Sequence, residues 1–522
     1  MRLLALLAIS SLFYFTGCHS LTVNAQINGL LRVHPSSPRY FTDNSGKAIY
    51  LSGAQIFVDL QDNTFNKSFI YNYQGALNFS WYMRFMRDRN LNYIRNWTLM
   101  STGGASGVIA SPMPYTRVPG YGNALDGEPK FDLNRFNQSF FDRMRARVIE
   151  AGRNGIYISI MFYDVYAFSN FPRDPMWPGN VFNPANNTNG INADSNGDGW
   201  GVEFFTSPSP EIKAYQQKYI RKVIDTVNDL DNVFFELSNE AAGHQWHTEI
   251  INYVKSYESS KPKQHLVFYS PGGLSGAGTY DFTSYDEVVG SAADVFAGAT
   301  AFGDHYRIDT PENNSGKPAI FDMDHIAAGE DLLKSDHTLA WKAFTRGYHF
   351  NLYDLPFEEP QAESAAWEIA RKNAGAIGTF ANKKFADLSK MHPQSGLSST
   401  GYALANPGSE YLIYQSGSGS FSVNLQAGTY NYEWYNPSTA SSVASGSITA
   451  SGGYQSFTPP FKGDAVLYLT SGPAGRKQNL ANTHAVRDLH QNLVTNQIFE
   501  SAAKDSSLLP LGNAGGNQEP SR

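Results

Sequence analysis

The 522-residue chain has one cysteine, Cys18, which excludes any disulfide within it and leaves its stability to packing. It has no excess of positive charge. Forty Lys and Arg stand against 47 Asp and Glu, a net charge of −7. That balance gives no electrostatic basis for holding nucleic acid or an anionic membrane surface. After Phe15 the chain also lacks an apolar run long enough to span a bilayer. Aromatics are plentiful, with 30 Tyr, 34 Phe and 8 Trp. Aromatic faces serve as platforms in sugar clefts, but they also fill cores, so composition alone does not choose between the two.

The N-terminus reads as an export signal over residues 1–25. Arg2 supplies the positive end, and Leu3 to Phe15 is apolar but short for a membrane span. Two processing sites fit. Phe15–Thr16–Gly17–Cys18 has the form of a bacterial lipobox that would lipidate Cys18, with Phe where Leu is usual. Val23–Asn24–Ala25 has the form of an ordinary signal-peptidase site. The expectation is a secreted, outer-surface or periplasmic protein, with contact to a membrane only through a lipid anchor.

From residue 27 to 390, strand-like and helix-like segments alternate, the pattern of a parallel-sheet α/β domain. Strands are expected at Ala48 to Gly53, Leu91 to Arg95, Ile156 to Phe162, Val233 to Asn239, His265 to Tyr269, Asp294 to Thr300, Pro318 to Phe321 and Tyr348 to Tyr353. Helices are expected from about Ser80 to Arg89 and behind Asp132 as N-cap. A third, behind Ser209–Pro210, carries Ile212, Tyr215, Tyr219, Val223 and Val227 on one face. Eight strands with interleaved helices make a (β/α)8 TIM barrel the economical assignment.

Near Pro393 the texture changes. Short alternating strands separated by Gly, Ser, Asn and Pro run to about 472, and Tyr430, Tyr432 and Trp434 share one face by period two. This segment, 393–472, is expected to be a small antiparallel β-sandwich. Residues 473–522 are polar and without pattern, the composition of a disordered tail.

The fourth expected strand, Val233–Phe234–Phe235–Glu236–Leu237–Ser238–Asn239, is a buried-strand run that ends at Glu240. Catalytic groups of β/α barrels sit at the C-terminal ends of strands. Asn239–Glu240 there, Arg95 ending the second strand and His305–Tyr306 after the sixth together resemble clan A glycoside hydrolases, particularly family 5, over most of the barrel. The segments Tyr402–Ala403–Leu404–Ala405–Asn406–Pro407–Gly408, Tyr432–Glu433–Trp434–Tyr435–Asn436–Pro437 and Phe457–Thr458–Pro459–Pro460–Phe461 resemble a bacterial domain type named for collagen binding. That domain often follows a glycosidase-like barrel, and its name is poor support for collagen binding itself.

The resemblance implies hydrolysis of glycosidic bonds by two carboxylates, without a cofactor. One carboxyl group protonates the leaving oxygen and the other acts opposite it. Glu240 takes the proton-donor role, Asn239 bonds the hydroxyl beside the reacting carbon, and Arg95 holds a neighbouring carboxylate ionised. The second carboxylate should end the seventh strand, Lys317–Pro318–Ala319–Ile320–Phe321–Asp322–Met323–Asp324. Family 5 enzymes place Glu where Met323 stands, so the role falls to Asp324, the preferred residue, or to Asp322, which shares its face. Asp is one methylene shorter than Glu and widens the gap between carboxyl groups. Retention needs about 5–5.5 Å and inversion about 6.5–9.5 Å. Retention with Asp324 as nucleophile is preferred, and inversion stays open.

His305, Tyr306 and Tyr269 are expected to line sugar subsites, and Trp97, Trp177 and Trp246 to stack on sugar rings. The substrate would be a polysaccharide or oligosaccharide and the enzyme a monomer. Asp194, Asn196 and Asp198 have the spacing that opens a calcium loop, but Phe205 stands where its bidentate Glu belongs. A solvated loop rich in Asx turns is the first reading of that stretch. The rival to an enzyme is a non-catalytic carbohydrate-binding or adhesion protein on a degenerate barrel, a reading kept alive by Met323.

Overall fold

The computed structural model describes residues 27–56, 59–65, 76–103, 108–172, 174–276, 279–280, 284–297, 311–322, 337–354 and 365–472. Cys18, both processing sites and the 473–522 tail lie outside the described residues. Among the described residues, no helix is long and apolar enough to cross a membrane.

Eight parallel strands close into a barrel: β1 Ser52–Ile56, β2 Tyr93–Asn96, β3 Tyr157–Asp164, β4 Val233–Asn239, β5 Val267–Tyr269, β6 Val295–Ala297, β7 Ala319–Asp322 and β8 His349–Tyr353. Each pairs with its sequence neighbours, and β8 returns to β1 through Phe350 opposite Ser52 and Tyr353 opposite Gln55. The TIM-barrel expectation therefore holds, with one strand differently bounded. The first expected strand splits in two. Ala48–Ile49 pairs antiparallel with Phe41–Thr42, which pairs with Arg32–Val33. Only Ser52–Ile56 enters the barrel.

That small three-stranded sheet closes the N-terminal end of the barrel. Leu31, Phe41 and Leu51 join Tyr93, Phe234, Phe268, Val295 and Ile320 in one buried cluster. The Phe234 ring stacks on Tyr93 at 5.6 Å and lies 6.4 Å from Phe41. Burying a side chain of this size stabilises by about 1.5–3 kcal/mol, so the lower half of the barrel is held by dry packing.

The helices are α1 Phe79–Asp88, α2 Gln138–Arg153, α3 Pro210–Val227, α4 His244–Glu258, α5 Tyr285–Gly290, α6 His337–Thr345 and α7 Ala365–Thr379. Helix α3 starts as expected, with the Ser209 hydroxyl accepting from Ile212 N at 3.2 Å. Helix α2 starts later than the Asp132 signal suggested. Phe131–Phe136 is instead extended and pairs with Tyr115–Arg117. Asn137 is the true cap, accepting from Ser139 N at 3.3 Å. Phe136 still packs on the helix, 5.3 Å from the Phe141 ring, and that contact produced the misleading helical spacing.

The C-terminal strands form antiparallel sheets. One has six strands and runs His392–Pro393, Ala403–Asn406, Glu410–Gln415, Ala465–Ser471, Gly428–Asn436, Ser441–Ala450 in spatial order. Phe421–Leu425 and Gly453–Phe457 pair separately. Their buried side chains join those of the larger sheet in one core, where Phe421 meets Trp434 edge-on at 5.9 Å. The sheets sit against α6 and α7. Trp341 stacks near Tyr414 and Tyr435, and its indole N–H donates to Asn373 Oδ1 at 2.7 Å. The Asn373 amide in turn donates to Pro437 O at 2.9 Å.

Candidate active site

Above the apolar floor, the barrel interior becomes polar. Arg95 on β2 and Glu236 on β4 are both fully buried and face each other across β3. Arg95 Nε donates to Glu236 Oε1 at 2.8 Å and Oε2 at 3.0 Å. The terminal nitrogens donate to Glu236 Oε1 at 2.5 Å, Gln55 Oε1 on β1 at 3.1 Å, Asn239 Oδ1 at 2.7 Å and Ser270 Oγ after β5 at 3.0 Å. Gln55 Oε1 also accepts from Asn351 Nδ2 on β8 at 3.1 Å. A buried charge is tolerated only when paired and hydrogen-bonded, and this guanidinium bonds four residues drawn from two strands and one loop.

Arg95 faces a neighbouring carboxylate, and that carboxylate is Glu236, hidden inside the run that reads as a buried apolar strand. Sequence alternation gave one signal for it: Phe234 and Glu236 share the inner face by period two. Gln55, Ser270 and Asn351 carried no such signal.

Asn239 and Glu240 sit where the network meets the mouth. The Asn239 carbonyl oxygen is fixed on Arg95, which orients its amide nitrogen as the donor end. The alternation breaks just before it. The Ser238 hydroxyl points outward, 3.0 Å from His247 Nε2 on α4, yet the next side chain, Asn239, reaches inward to Arg95. Glu240 follows with φ 54°. A non-glycine residue in the left-handed region costs energy and is held there only by its surroundings. Gly272 contributes to that hold. A Cβ at 272 would lie 2.1 Å from the Glu240 Cα and carbonyl oxygen, so only glycine lets the β5 loop press against this turn. Glu240 is partly exposed at the strand end, whereas Asn239 is buried.

Two further carboxyl groups at strand ends went unnoticed in the sequence. Asp164 ends β3 and caps the following turn by accepting from Tyr166 N at 3.1 Å. Asp59 follows β1, is fully buried and accepts from Trp97 N at 3.2 Å. Its Oδ2 has no partner among the described residues. Burial pushes the Asp59 carboxyl up to about 8, against the opposing charge of Arg147. It therefore carries its proton at neutral pH.

Other expected site residues are placed elsewhere. Tyr269 turns outward and is fully buried, its ring 4.3 Å from His247 and its hydroxyl 3.4 Å from His244, so it offers no face to a sugar. Trp97 is buried under Arg95, whose guanidinium carbon lies 5.0 Å from its ring. Trp177 packs beside Phe168. Trp246 is wedged between Tyr163 and Phe205 and donates to Gln216 Oε1 at 3.2 Å. All three indoles are core, because an aromatic on a long loop or helix start buries more area by folding inward than by waiting for ligand. Asp322 ends β7 opposite Asn351 in the register, and its side chain lies outside the described residues. Asp324, His305 and Tyr306 lie outside them too.

A cleft of about 1200 Å³ lies in the β2 loop between Thr102, Tyr115, Leu125 and Phe131. None of the strand-end groups lines it. Asp164 and Glu240 instead stand at the C-terminal ends of β3 and β4.

No family model and no curated protein matches this chain. Solved structures do. A glycoside hydrolase with 15% identity superposes on 85% of this chain and 97% of its own, with a TM-score of 0.51. A glycoside hydrolase family 5 protein from Bacteroides vulgatus ATCC 8482 does so with 14% identity over 85% and 94%, again at 0.51. The fold is shared with glycoside hydrolases. At this identity the likeness is one of architecture, and the residues must argue for the chemistry.

Proposed function

We propose that the protein is a glycoside hydrolase that cleaves a polysaccharide or oligosaccharide, with Glu240 as proton donor. One observation carries the reading: Glu240 is held in a left-handed turn at the end of β4, directly after an Asn fixed by a buried Arg–Glu pair. Strain retained at a strand end, with its neighbour preoriented, is what a site needs to present an acid at a fixed position. The Asn239 amide is set to donate to a substrate hydroxyl. Glu236 stays locked to Arg95 and takes no part in proton transfer.

The second carboxylate in this reading is Asp324, with Asp322 as its alternate, acting as nucleophile in a retaining mechanism. We further infer that the enzyme is exported, and that the C-terminal sheets form a small sandwich of the collagen-binding type. Two measurements test the core of the proposal. Purified protein should release reducing sugar from at least one member of a plant and microbial polysaccharide panel. Glu240→Gln should lower that rate by about 10²–10⁴-fold, the usual contribution of a positioned acid, with an unchanged melting temperature. Wild type that binds a glycan and releases nothing from it would instead identify a carbohydrate-binding protein on a barrel scaffold. For the mechanism, the anomer seen first by NMR decides between retention and inversion.

A further inference from the structure

The loop between β3 and α3 holds a group of acids that the barrel chemistry does not use. One carboxylate oxygen from each of Asp194, Asp198 and Glu203 lies within 4.8 Å of the other two. Asn196 belongs to the same group, its amide donating to Asp198 Oδ2 at 3.1 Å and Glu203 Oε1 at 2.7 Å. Like charges this close repel strongly unless a cation or protons sit among them. Glu203 is the decisive member. It is only 7% exposed, and its Oε2 has no hydrogen-bond partner among the described residues. A buried carboxylate oxygen left unsatisfied beside two other carboxylates is costly without a ligand.

We propose that Asp194, Asn196, Asp198 and Glu203 bind one calcium ion. The ligating atoms would be carboxylate oxygens and the Asn196 Oδ1, turned toward the ion in place of the amide hydrogens it now gives to Asp198 and Glu203. An all-oxygen set suits a hard cation and excludes the nitrogen and sulfur sets of zinc or copper. Asp194, Asn196 and Asp198 occupy the first, third and fifth positions of a calcium loop. Glu203 supplies the acidic ligand from the tenth position, two residues earlier than the Phe205 position where such loops place it. The sequence pattern therefore looked incomplete, and burial of Glu203 completes it. The ion would anchor a structural joint. Glu203 opens a helical turn whose Phe204 and Phe205 pack on Phe168 and Trp246 at 4.5 and 5.0 Å. Trp246 lies on α4, the helix that follows Glu240.

Terbium titration of the full-length protein, with emission sensitised by nearby Trp200, tests this. Wild type should show saturable emission at about one ion per chain, displaced by calcium but not by magnesium at equal concentration. Calcium should also raise the melting temperature by several degrees over protein in EDTA, because only the folded state is bound. Glu203→Gln should weaken terbium binding by at least about ten-fold, whereas Glu211→Gln, an exposed acid on α3, should leave it unchanged. Asp198→Asn, an exposed substitution, carries the same expectation if the buried one impairs folding. Folded wild type without saturable emission would overturn the site, as would Glu203→Gln or Asp198→Asn protein that binds terbium as well as wild type.

Discussion

The two halves of the barrel interior are built on opposite principles. The lower half, from Phe41 through Phe234 to Ile320, is dry and apolar. The upper half, one pleat along the same strands, is a charged network centred on Arg95 and Glu236. The lower half gains stability from buried area, which is non-directional and tolerates repacking. The upper half gains little net stability from its ion pair, since desolvation offsets most of the attraction. What it provides is direction: hydrogen bonds to Glu236, Gln55, Asn239 and Ser270 fix one guanidinium, and that guanidinium fixes Asn239 beside Glu240. The difference separates a layer that keeps the barrel closed from a layer that aims the site.

Substitutions in the two layers should break this comparison in different ways. Glu236→Ala leaves Arg95 buried and unpaired and should cost about 3–5 kcal/mol of unfolding free energy. The double variant Arg95→Met/Glu236→Leu should recover much of that loss in urea denaturation while remaining inactive. A double variant no more stable than Glu236→Ala would show that the pair is needed for the fold itself. Phe234→Ala in the floor should cost a similar 3–5 kcal/mol through its cavity. No polar partner exchange should rescue it, a contrast that the same denaturation series reads directly.

The pH dependence of stability sharpens the contrast. Asp59, raised to about 8 by burial, keeps a proton that the unfolded chain loses near its ordinary value. Stability from this group is full below about pH 4 and falls as pH rises toward 8, by about 1.4 kcal/mol per pH unit at most. Asp59→Asn should flatten the melting-temperature profile between pH 6 and 8. His349 in the floor and His247 behind β4 act in the opposite sense. Burial lowers both to about 3, and each imidazole makes two hydrogen bonds, from Leu51 N and to Arg39 O for His349. Their contribution is full above about 6.5 and is lost as pH falls toward 3. Acid unfolding should therefore begin below pH 6.5 and shift downward in His349→Gln protein if that variant folds. The smallest effect is expected at the exposed Lys384–Glu433 pair, 2.6 Å apart where the barrel meets the C-terminal sheets. Lys384→Ala should change stability by about 0–1 kcal/mol, and a larger loss would mean that the joint behaves like the buried network.

By itself the sequence determined the architecture. Apolar runs at Val233–Phe235 and Ile156–Phe162, helical faces such as Ile212–Tyr219–Val223, and the Ser209–Pro210 cap carry their structure locally, because period and capping are properties of neighbouring residues. It also marked Asn239–Glu240, since a carboxylate that ends a buried strand is visible in one dimension. What the tertiary structure decided was every partnership across the barrel. Glu236 reads as an anomaly in an apolar run until Arg95, 141 positions away, is folded against it. Tyr269 reads as a subsite residue and the three tryptophans as sugar platforms until packing turns them inward or against helices. Glu203 carries no signal in the sequence until burial places it among Asp194 and Asp198. Charge pairing, ring packing and metal ligation depend on distances in space, and those distances are set only when the strands close.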